Sequence, residues 1–158
     1  MCVSNQENIM KTIITIILTL TVFTAAYAGS LSRDDANDTV ADTTNNIMWQ
    51  DDAAAASNSL YWPEAVTYCD NLSLGGYTDW RLPSINELRS TMDYSQVDFT
   101  YDVFQNRYGS GQYWTSTTVY DPASTDEAWS ICLWCGGYGF AAVKATEPLD
   151  VRCVRSTN

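Results

Sequence analysis

Two cysteines, Cys132 and Cys135, have the spacing of a redox motif. A reactive Cys-x-x-Cys pair normally lies at the N-terminus of a helix, where the helix dipole stabilises a thiolate. Here the pair follows a strand-like run and precedes Gly136-Gly137, so that setting is absent. A structural disulfide is therefore favoured, and a thiol-disulfide oxidoreductase is kept as a less favoured alternative.

The chain contains no histidine. This absence excludes Ser-His and Cys-His catalysis and metal sites built on histidine. The sequence also lacks a Gly-rich phosphate loop, a dinucleotide-binding fingerprint and an EF-hand loop. We therefore predict that the protein is not an enzyme, and we assign it no catalytic residue and no metal ligand.

Acidic side chains occur in small groups, and carboxylate oxygens are ligands that Ca²⁺ prefers. The groups are Asp34/Asp35/Asp38, Asp51/Asp52, Asp98/Asp102, Asp121/Asp126/Glu127 and Glu147/Asp150. A solvated acidic surface is the favoured interpretation, with no cofactor, and a bound Ca²⁺ is an open alternative. The net charge of −11 disfavours nucleic acid and anionic membranes as partners, because both are bound through basic residues.

Aromatic residues are the best candidates for ligand binding. Tyr120, Trp134 and Tyr138 lie near loops of the C-terminal third, where aromatic faces can stack on a sugar ring or anchor a protein partner. Together with Asp121 and Glu147 they form the predicted ligand-binding set. The tryptophans inside more regular segments are predicted to be core residues, namely Trp49, Trp80, Trp114 and Trp129.

The N-terminus has the pattern of a signal peptide over residues 1–28. Lys11 precedes an apolar run over 13–23, and Ala26-Tyr27-Ala28 supplies small residues where a signal peptidase cleaves. The run is too short to span a membrane, which takes about 20 apolar residues, so no membrane insertion is expected. The sequence leaves open whether Met1 or Met10 is the true start. Export is predicted, to the periplasm, the cell surface or the exterior.

The remaining chain has the size of one domain. Residues 29–37 are small, polar and acidic, which predicts a flexible lead-in to a domain over 38–158. Four cysteines follow the signal peptide, namely Cys69, Cys132, Cys135 and Cys153. In an oxidising compartment two disulfides are expected, and three connectivities are open.

The first half of the domain predicts a hairpin and two helices. Two strand-like pieces over 39–42 and 47–50 flank a turn of Thr and Asn residues. Pro63 fits the first turn of a helix that ends at Gly75-Gly76. A second helix is predicted from about Ile85 to Met92, because Ser84 and Glu87 form a capping box.

The C-terminal third predicts an antiparallel sheet. Runs rich in aromatic and β-branched residues cover 113–118, 128–133, 140–143 and 151–155, and turn residues separate them. The whole pattern predicts an α+β domain with an N-terminal hairpin, two helices and a small twisted sheet. Arg81 and Arg152 are predicted to pair with acidic groups and to hold this fold.

Several of these segments resemble one bacterial family. They are Ile47-Met48-Trp49-Gln50-Asp51, the stretch from Gly75-Gly76-Tyr77-Thr78-Asp79-Trp80-Arg81-Leu82-Pro83-Ser84 to Glu87-Leu88, Tyr113-Trp114-Thr115-Ser116, Ala128-Trp129 and Val151-Arg152-Cys153-Val154-Arg155. The chain resembles the C-terminal domain of the Legionella collagen-like protein over nearly its whole mature length.

This resemblance implies a C-type-lectin-like fold, in which the N-terminal and C-terminal strands pair. It also implies a disulfide from the first helix to the last strand, here Cys69 with Cys153. The founding member of the family is an adhesin that binds sulfated glycosaminoglycans. A protein with a charge of −11 has few basic residues to meet sulfate groups, so the resemblance is extended to the fold and to adhesion, but not to that ligand.

The second disulfide would then join Cys132 to Cys135. In an extended strand these residues would be about 10 Å apart, beyond the roughly 7 Å between Cα atoms that a disulfide tolerates. We therefore predict that the chain turns at Gly136-Gly137 to let them bond. The expected function is a non-enzymatic binding or adhesion module for a carbohydrate or protein ligand. The alternative is a structural subunit of an extracellular assembly, and a homo-oligomer is compatible with either.

Overall fold

The computed structural model describes residues 31–107, 111–120 and 126–158. An N-terminal meander comprises β1 (Leu31–Asp34), β2 (Thr39–Asp42) and β3 (Ile47–Gln50). The predicted hairpin over 39–50 is thus confirmed. Its turn is held by the Asp42 carboxylate, which accepts hydrogen bonds from the backbone of Thr44 (3.0 Å) and Asn45 (3.1 Å).

The predicted lead-in over 29–37 needs a correction. Leu31–Asp34 are not flexible but pair with β2 as an antiparallel strand, with Leu31 opposite Asp42. The composition of this segment did not reveal the strand. Leu31 is the one apolar residue of the four, and an edge strand such as β1 can be mainly polar.

The later strands are β4 (Ser59–Leu60), β5 (Gln112–Thr118), β6 (Glu127–Cys132), β7 (Tyr138–Val143), β8 (Leu149–Asp150) and β9 (Val154–Ser156). In the part of the chain that the structure describes, the strands form two sheets, in the orders β1-β2-β3-β9 and β4-β8-β5-β6-β7. The second sheet is mixed rather than wholly antiparallel, because β5 and β8 run parallel. The α+β class is confirmed.

The predicted terminal strand over 151–155 is divided. Residues 151–153 connect β8 in one sheet to β9 in the other, and their backbone groups bond outside the strand ladders. Val151 N–H donates to the Asn58 carbonyl (3.2 Å), and Cys153 N–H donates to the side-chain oxygen of Gln50 (3.0 Å). This crossing segment ties the two sheets together.

In the described part of the chain, two short α-helices and a 3-10 helix (Ala53–Ala56) lie between the strand regions. Helix α1 (Trp62–Asp70) has Pro63 in its first turn, and α2 (Ile85–Arg89) begins at the predicted capping box. Helix α2 is shorter than predicted, because after Arg89 the chain tightens into bonds between residues three apart, such as Met92 N–H to the Arg89 carbonyl (3.2 Å). No helix among residues 31–107, 111–120 and 126–158 is long and apolar enough to cross a membrane.

Two clusters of buried side chains form the core. One centres on Trp49, Leu88 and Tyr113, and the other on Trp80, Trp114 and Cys153. Three of the four tryptophans predicted to be core are therefore buried. Trp129 is only half-buried, because its strand β6 presents it on the face that the short helix α2 covers incompletely.

Candidate functional site

A buried ionic centre joins the two sheets. The carboxylate of Asp51 is fully buried and accepts hydrogen bonds from Arg152 Nη1 (2.8 Å), from Gln105 N–H (2.8 Å) and from Arg33. The predicted pairing of Arg152 with an acidic group is confirmed. Since two guanidinium groups contact Asp51, its carboxylate oxygens are occupied by structural hydrogen bonds and are not available to a cation.

Arg81 also pairs as predicted. It donates to both carboxylate oxygens of Glu87, at 2.9 and 2.6 Å. The same carboxylate accepts from the backbone (2.8 Å) and hydroxyl (2.8 Å) of Ser84. The Arg81 guanidinium, followed by the Ser84 donors, lowers the pKa of Glu87 from 4.5 to about 2.

Both predicted disulfides are present. Cys69 bonds Cys153 with a Cα–Cα distance of 5.5 Å, and Cys132 bonds Cys135 with 5.4 Å. The second bond closes the turn after β6, where Gly136 and Gly137 have φ of +83° and +75°. This confirms the predicted turn, which lies in a hairpin and not at a helix N-terminus.

The acidic groups do not gather around one point. Among the described residues, no set of three or more Asp, Glu or Cys side chains is arranged to hold a metal ion. Several carboxylates bond to the backbone instead. Glu147 accepts from Val143 N–H (3.0 Å), and buried Asp150 accepts from Gly111 N–H (3.0 Å). Asp121 lies outside the described residues.

The predicted ligand-binding residues lie at opposite ends of the second sheet. Tyr120 follows β5 and Glu147 follows β7, near the end where Glu127 pairs with Val143. At the other end, Trp134 lies in the β6–β7 turn and Tyr138 is the first residue of β7. The six residues of β6 separate the two ends by about 17 Å. Successive antiparallel strands place their connections at alternate ends, so the three aromatic residues do not share one site.

One end of this sheet carries a group of exposed aromatic side chains. We call this group the aromatic end, and it comprises Tyr94, Trp134 and Tyr138, while Phe140 is exposed farther along β7. Trp134 is 63% exposed and Tyr138 is 69% exposed. Tyr138 and Phe140 are two residues apart on β7 and therefore share a face of the strand.

Close packing holds two of these residues in place. The indole of Trp134 lies against the backbone of Gly111, where a β-carbon would overlap it. The hydroxyl of Tyr94 lies beside Gly137, 3.4 Å from the position that a β-carbon would take. The Trp134 contact depends on glycine at position 111, where φ is +80°.

The turn that carries Trp134 is well anchored. Leu133 is buried, and its N–H donates to the Gly111 carbonyl (2.7 Å). Gly137 N–H donates to the Cys132 carbonyl (2.9 Å), and the Cys132–Cys135 bond closes the same loop. The indole is thus presented on a braced turn, and such preorganisation reduces the entropy lost on binding.

Apart from the aromatic end, a concave surface lies along α1. It is a groove of about 630 Å³ whose walls include Leu60, Pro63, Thr67, Tyr68 and Leu72. Burial raises the pKa of the Tyr68 phenol, whose oxygen accepts a hydrogen bond from Gln50 (2.7 Å). Because that hydroxyl already serves a buried partner, the groove offers mainly apolar contact.

Sequence reasoning did not identify Tyr94 as a member of the aromatic end, or Phe140 as an exposed residue beside it. Phe140 was detectable, since a residue two positions from Tyr138 on a strand shares its face. Tyr94 gave no such signal, because only the tertiary structure brings the loop after α2 next to the β6–β7 turn.

Comparison with known proteins gives one match. The family model described as the Lcl C-terminal domain matches residues 38–155. No curated protein and no solved structure matches the chain.

Proposed function

The chain belongs to the Lcl C-terminal domain family, and on this premise we propose that it is an exported, non-enzymatic binding or adhesion module. Its ligand is a carbohydrate or a protein at the cell exterior, bound at the aromatic end. The observation that carries this proposal is the exposure of Trp134 on a turn braced by a disulfide and of Tyr138 on the strand that follows it.

The chemistry of the aromatic end supports binding. Indole and phenol rings offer flat apolar faces that stack on the C–H groups of a sugar ring or fill a pocket of a protein partner. The phenolic hydroxyls of Tyr94 and Tyr138 add hydrogen bonds at the edge of this surface. This function requires no cofactor and no catalytic residue.

Charge narrows the ligand class. A net charge of −11 disfavours sulfated and other polyanionic ligands, because few basic residues can neutralise them. We therefore propose a neutral carbohydrate or a protein surface. Binding need not depend on Ca²⁺, since the aromatic end makes its contacts through rings.

A C-type-lectin-like fold is part of the same proposal. Two features support it, namely the pairing of the early strand β3 with the terminal strand β9 and the Cys69–Cys153 bond from α1 to the segment before β9. Two disulfides also support an oxidising destination, and thus export to the periplasm, cell surface or exterior.

The test is a glycan array together with a pull-down from cell-surface extract. The wild-type protein should retain a ligand, and Trp134→Ala should reduce its binding at least tenfold. Tyr120→Ala is the matched control, because Tyr120 is 95% exposed at the opposite end of the sheet. A ligand that is lost with Tyr120→Ala but kept with Trp134→Ala would refute the assignment to the aromatic end.

A further inference from the structure

Strand β7 is the outer strand of the second sheet. Lys144 N–H donates to the Asp126 carbonyl (2.9 Å) and Leu133 N–H donates to the Gly111 carbonyl (2.7 Å). Successive residues of an inner antiparallel strand bond to opposite neighbours in turn. In β6, the odd-numbered residues therefore bond to β5 and the even-numbered residues bond to β7. The even-numbered residues of β7 therefore bond to β6, and the N–H and C=O groups of Gly139 and Ala141 point away from the sheet.

This edge has little of the protection that edges usually have. Proteins block exposed edges with charged side chains or by keeping the edge strand very short. Edge strand β1 contains Arg33 and Asp34, and edge strand β4 has two residues. Strand β7 has six residues and no charge, and Phe140 on it is 47% exposed.

We propose that a second copy of this chain pairs with this edge, strand β7 against strand β7, in antiparallel orientation. The two-fold axis passes between the Phe140 residues of the two copies. Gly139 of each copy then exchanges two backbone hydrogen bonds with Ala141 of the other. The two five-stranded sheets become one continuous sheet of ten strands.

The backbone itself selects this register. A register centred on Gly139 would use Gly137, whose N–H already donates to Cys132. A register centred on Ala141 would use Val143, whose N–H already donates to the Glu147 carboxylate (3.0 Å). Of these three registers, the one centred on Phe140 pairs backbone groups of Gly139 and Ala141 that have no other partner among the described residues.

The side chains and charges also favour a second copy over a foreign strand. The Phe140 rings face each other across the axis, which is a stabilising cross-strand pair. On the other face, Gly139 lies opposite Ala141, and both are small. Two copies at a charge of −11 repel each other in general. The central residues of β7 carry no charge, and the charged groups beside the strand are Arg89 next to Gly139 and Glu147 at Val143, so the copies can approach at its centre.

Light scattering after size-exclusion chromatography tests the pairing. The protein with its disulfides formed should have twice the chain mass at high concentration. Ala141→Lys should return the mass to that of a monomer, because it places charge on the edge. Ser32→Lys is the matched control, since it adds the same charge to exposed strand β1 and should leave the dimer intact.

A second variant distinguishes loss of the dimer from loss of the fold. Ala141→Pro should also give a monomer with an unchanged circular dichroism spectrum, because the N–H that it removes points away from β6. A strict monomer in the wild-type protein, or a dimer that survives both Ala141 variants, would overturn the proposal.

Cross-linking tests the register. Across the axis the Phe140 Cα atoms should be about 4.5 Å apart, so Phe140→Cys should form a disulfide-linked dimer on oxidation. The Ala141 Cα atoms should be about 8 Å apart, beyond the reach of a disulfide, so Ala141→Cys should not cross-link. The reverse result would rule out this register. Trp134→Ala should keep the dimer, which separates this proposal from that of ligand binding.

Discussion

At the scale of single residues, Asp51 joins distant parts of the chain. It comes directly after β3, and it binds Arg33 on β1, Arg152 on the crossing segment and the backbone of Gln105 and Asn106. The Arg152 guanidinium also lies 4.8 Å from the Phe104 ring. A buried carboxylate of this kind aligns its partners. Each buried partner loses its hydration on folding, and the interaction with the carboxylate offsets that loss.

Asp51→Asn should therefore destabilise the protein strongly. The substitution keeps the size of the side chain but leaves the buried charge of Arg152 without its counter-ion, while Arg33 keeps Asp35 and Asp38 as partners. Breaking a buried pair in this way costs about 3–5 kcal/mol of the free energy of unfolding. Urea denaturation measures the loss. Asp79→Asn is the control, since Asp79 pairs with Arg155 at the surface and its loss should leave the midpoint almost unchanged. Equal effects of the two variants would refute the role of Asp51.

At the scale of elements, helix α2 illustrates how side chains hold a segment that is too short to be stable alone. It has five residues, and an isolated helix of that length does not persist in water. The Ser84–Glu87 capping box closes its first turn, Arg81 holds Glu87 from outside, and Leu88 anchors it in the core. The position of the helix thus depends on the ionised form of one carboxylate.

Acid should weaken this element through Glu87. Its pKa is about 2 in the folded protein and near 4.5 when unfolded, so the unfolded state binds the proton more readily. The stabilisation is fully present above about pH 4.5 and is lost as the pH falls from there towards 2. Chemical denaturation of wild type and Glu87→Gln across pH 2 to 7 measures it. The difference in the free energy of unfolding between the two proteins should be largest above pH 4.5 and should disappear in acid. A difference that does not change with pH would contradict the prediction.

At the scale of the whole molecule, the fold is closed by contacts between the beginning and end of the domain. Strand β9 pairs with β3, the segment 151–153 crosses between the sheets, and Cys153 bonds Cys69 on α1. The Cys132–Cys135 bond is local by comparison. The two disulfides differ in sequence separation, 84 residues against 3, and so constrain the unfolded chain to different extents.

Removal of the two disulfides should therefore have unequal effects. In the chain-entropy model, Cys69→Ala with Cys153→Ala costs about 4–5 kcal/mol, and Cys132→Ala with Cys135→Ala costs about 2 kcal/mol. Urea denaturation of the two double variants measures the difference. The local pair should affect ligand binding more, because it braces the turn of Trp134. A larger stability loss from the local pair would contradict this assignment.

The sequence by itself determined the features that depend on near neighbours. The β2–β3 hairpin, the Ser84–Glu87 box and the turn at Gly136-Gly137 each use bonds between residues a few positions apart, so residue type and spacing suffice to predict them. The α+β class follows from the order of such pieces. The Cys69–Cys153 pairing was predicted from the family resemblance, and it is present in the structure.

Only the tertiary structure decided which residues from distant segments meet. It placed Tyr120 and Trp134 at opposite ends of one sheet, brought Tyr94 to the β6–β7 turn and chose Asp51 as the partner of both Arg33 and Arg152. It also left β7 at an open edge. These outcomes depend on strand order and on burial summed over the whole core, and no local pattern of residues encodes either quantity.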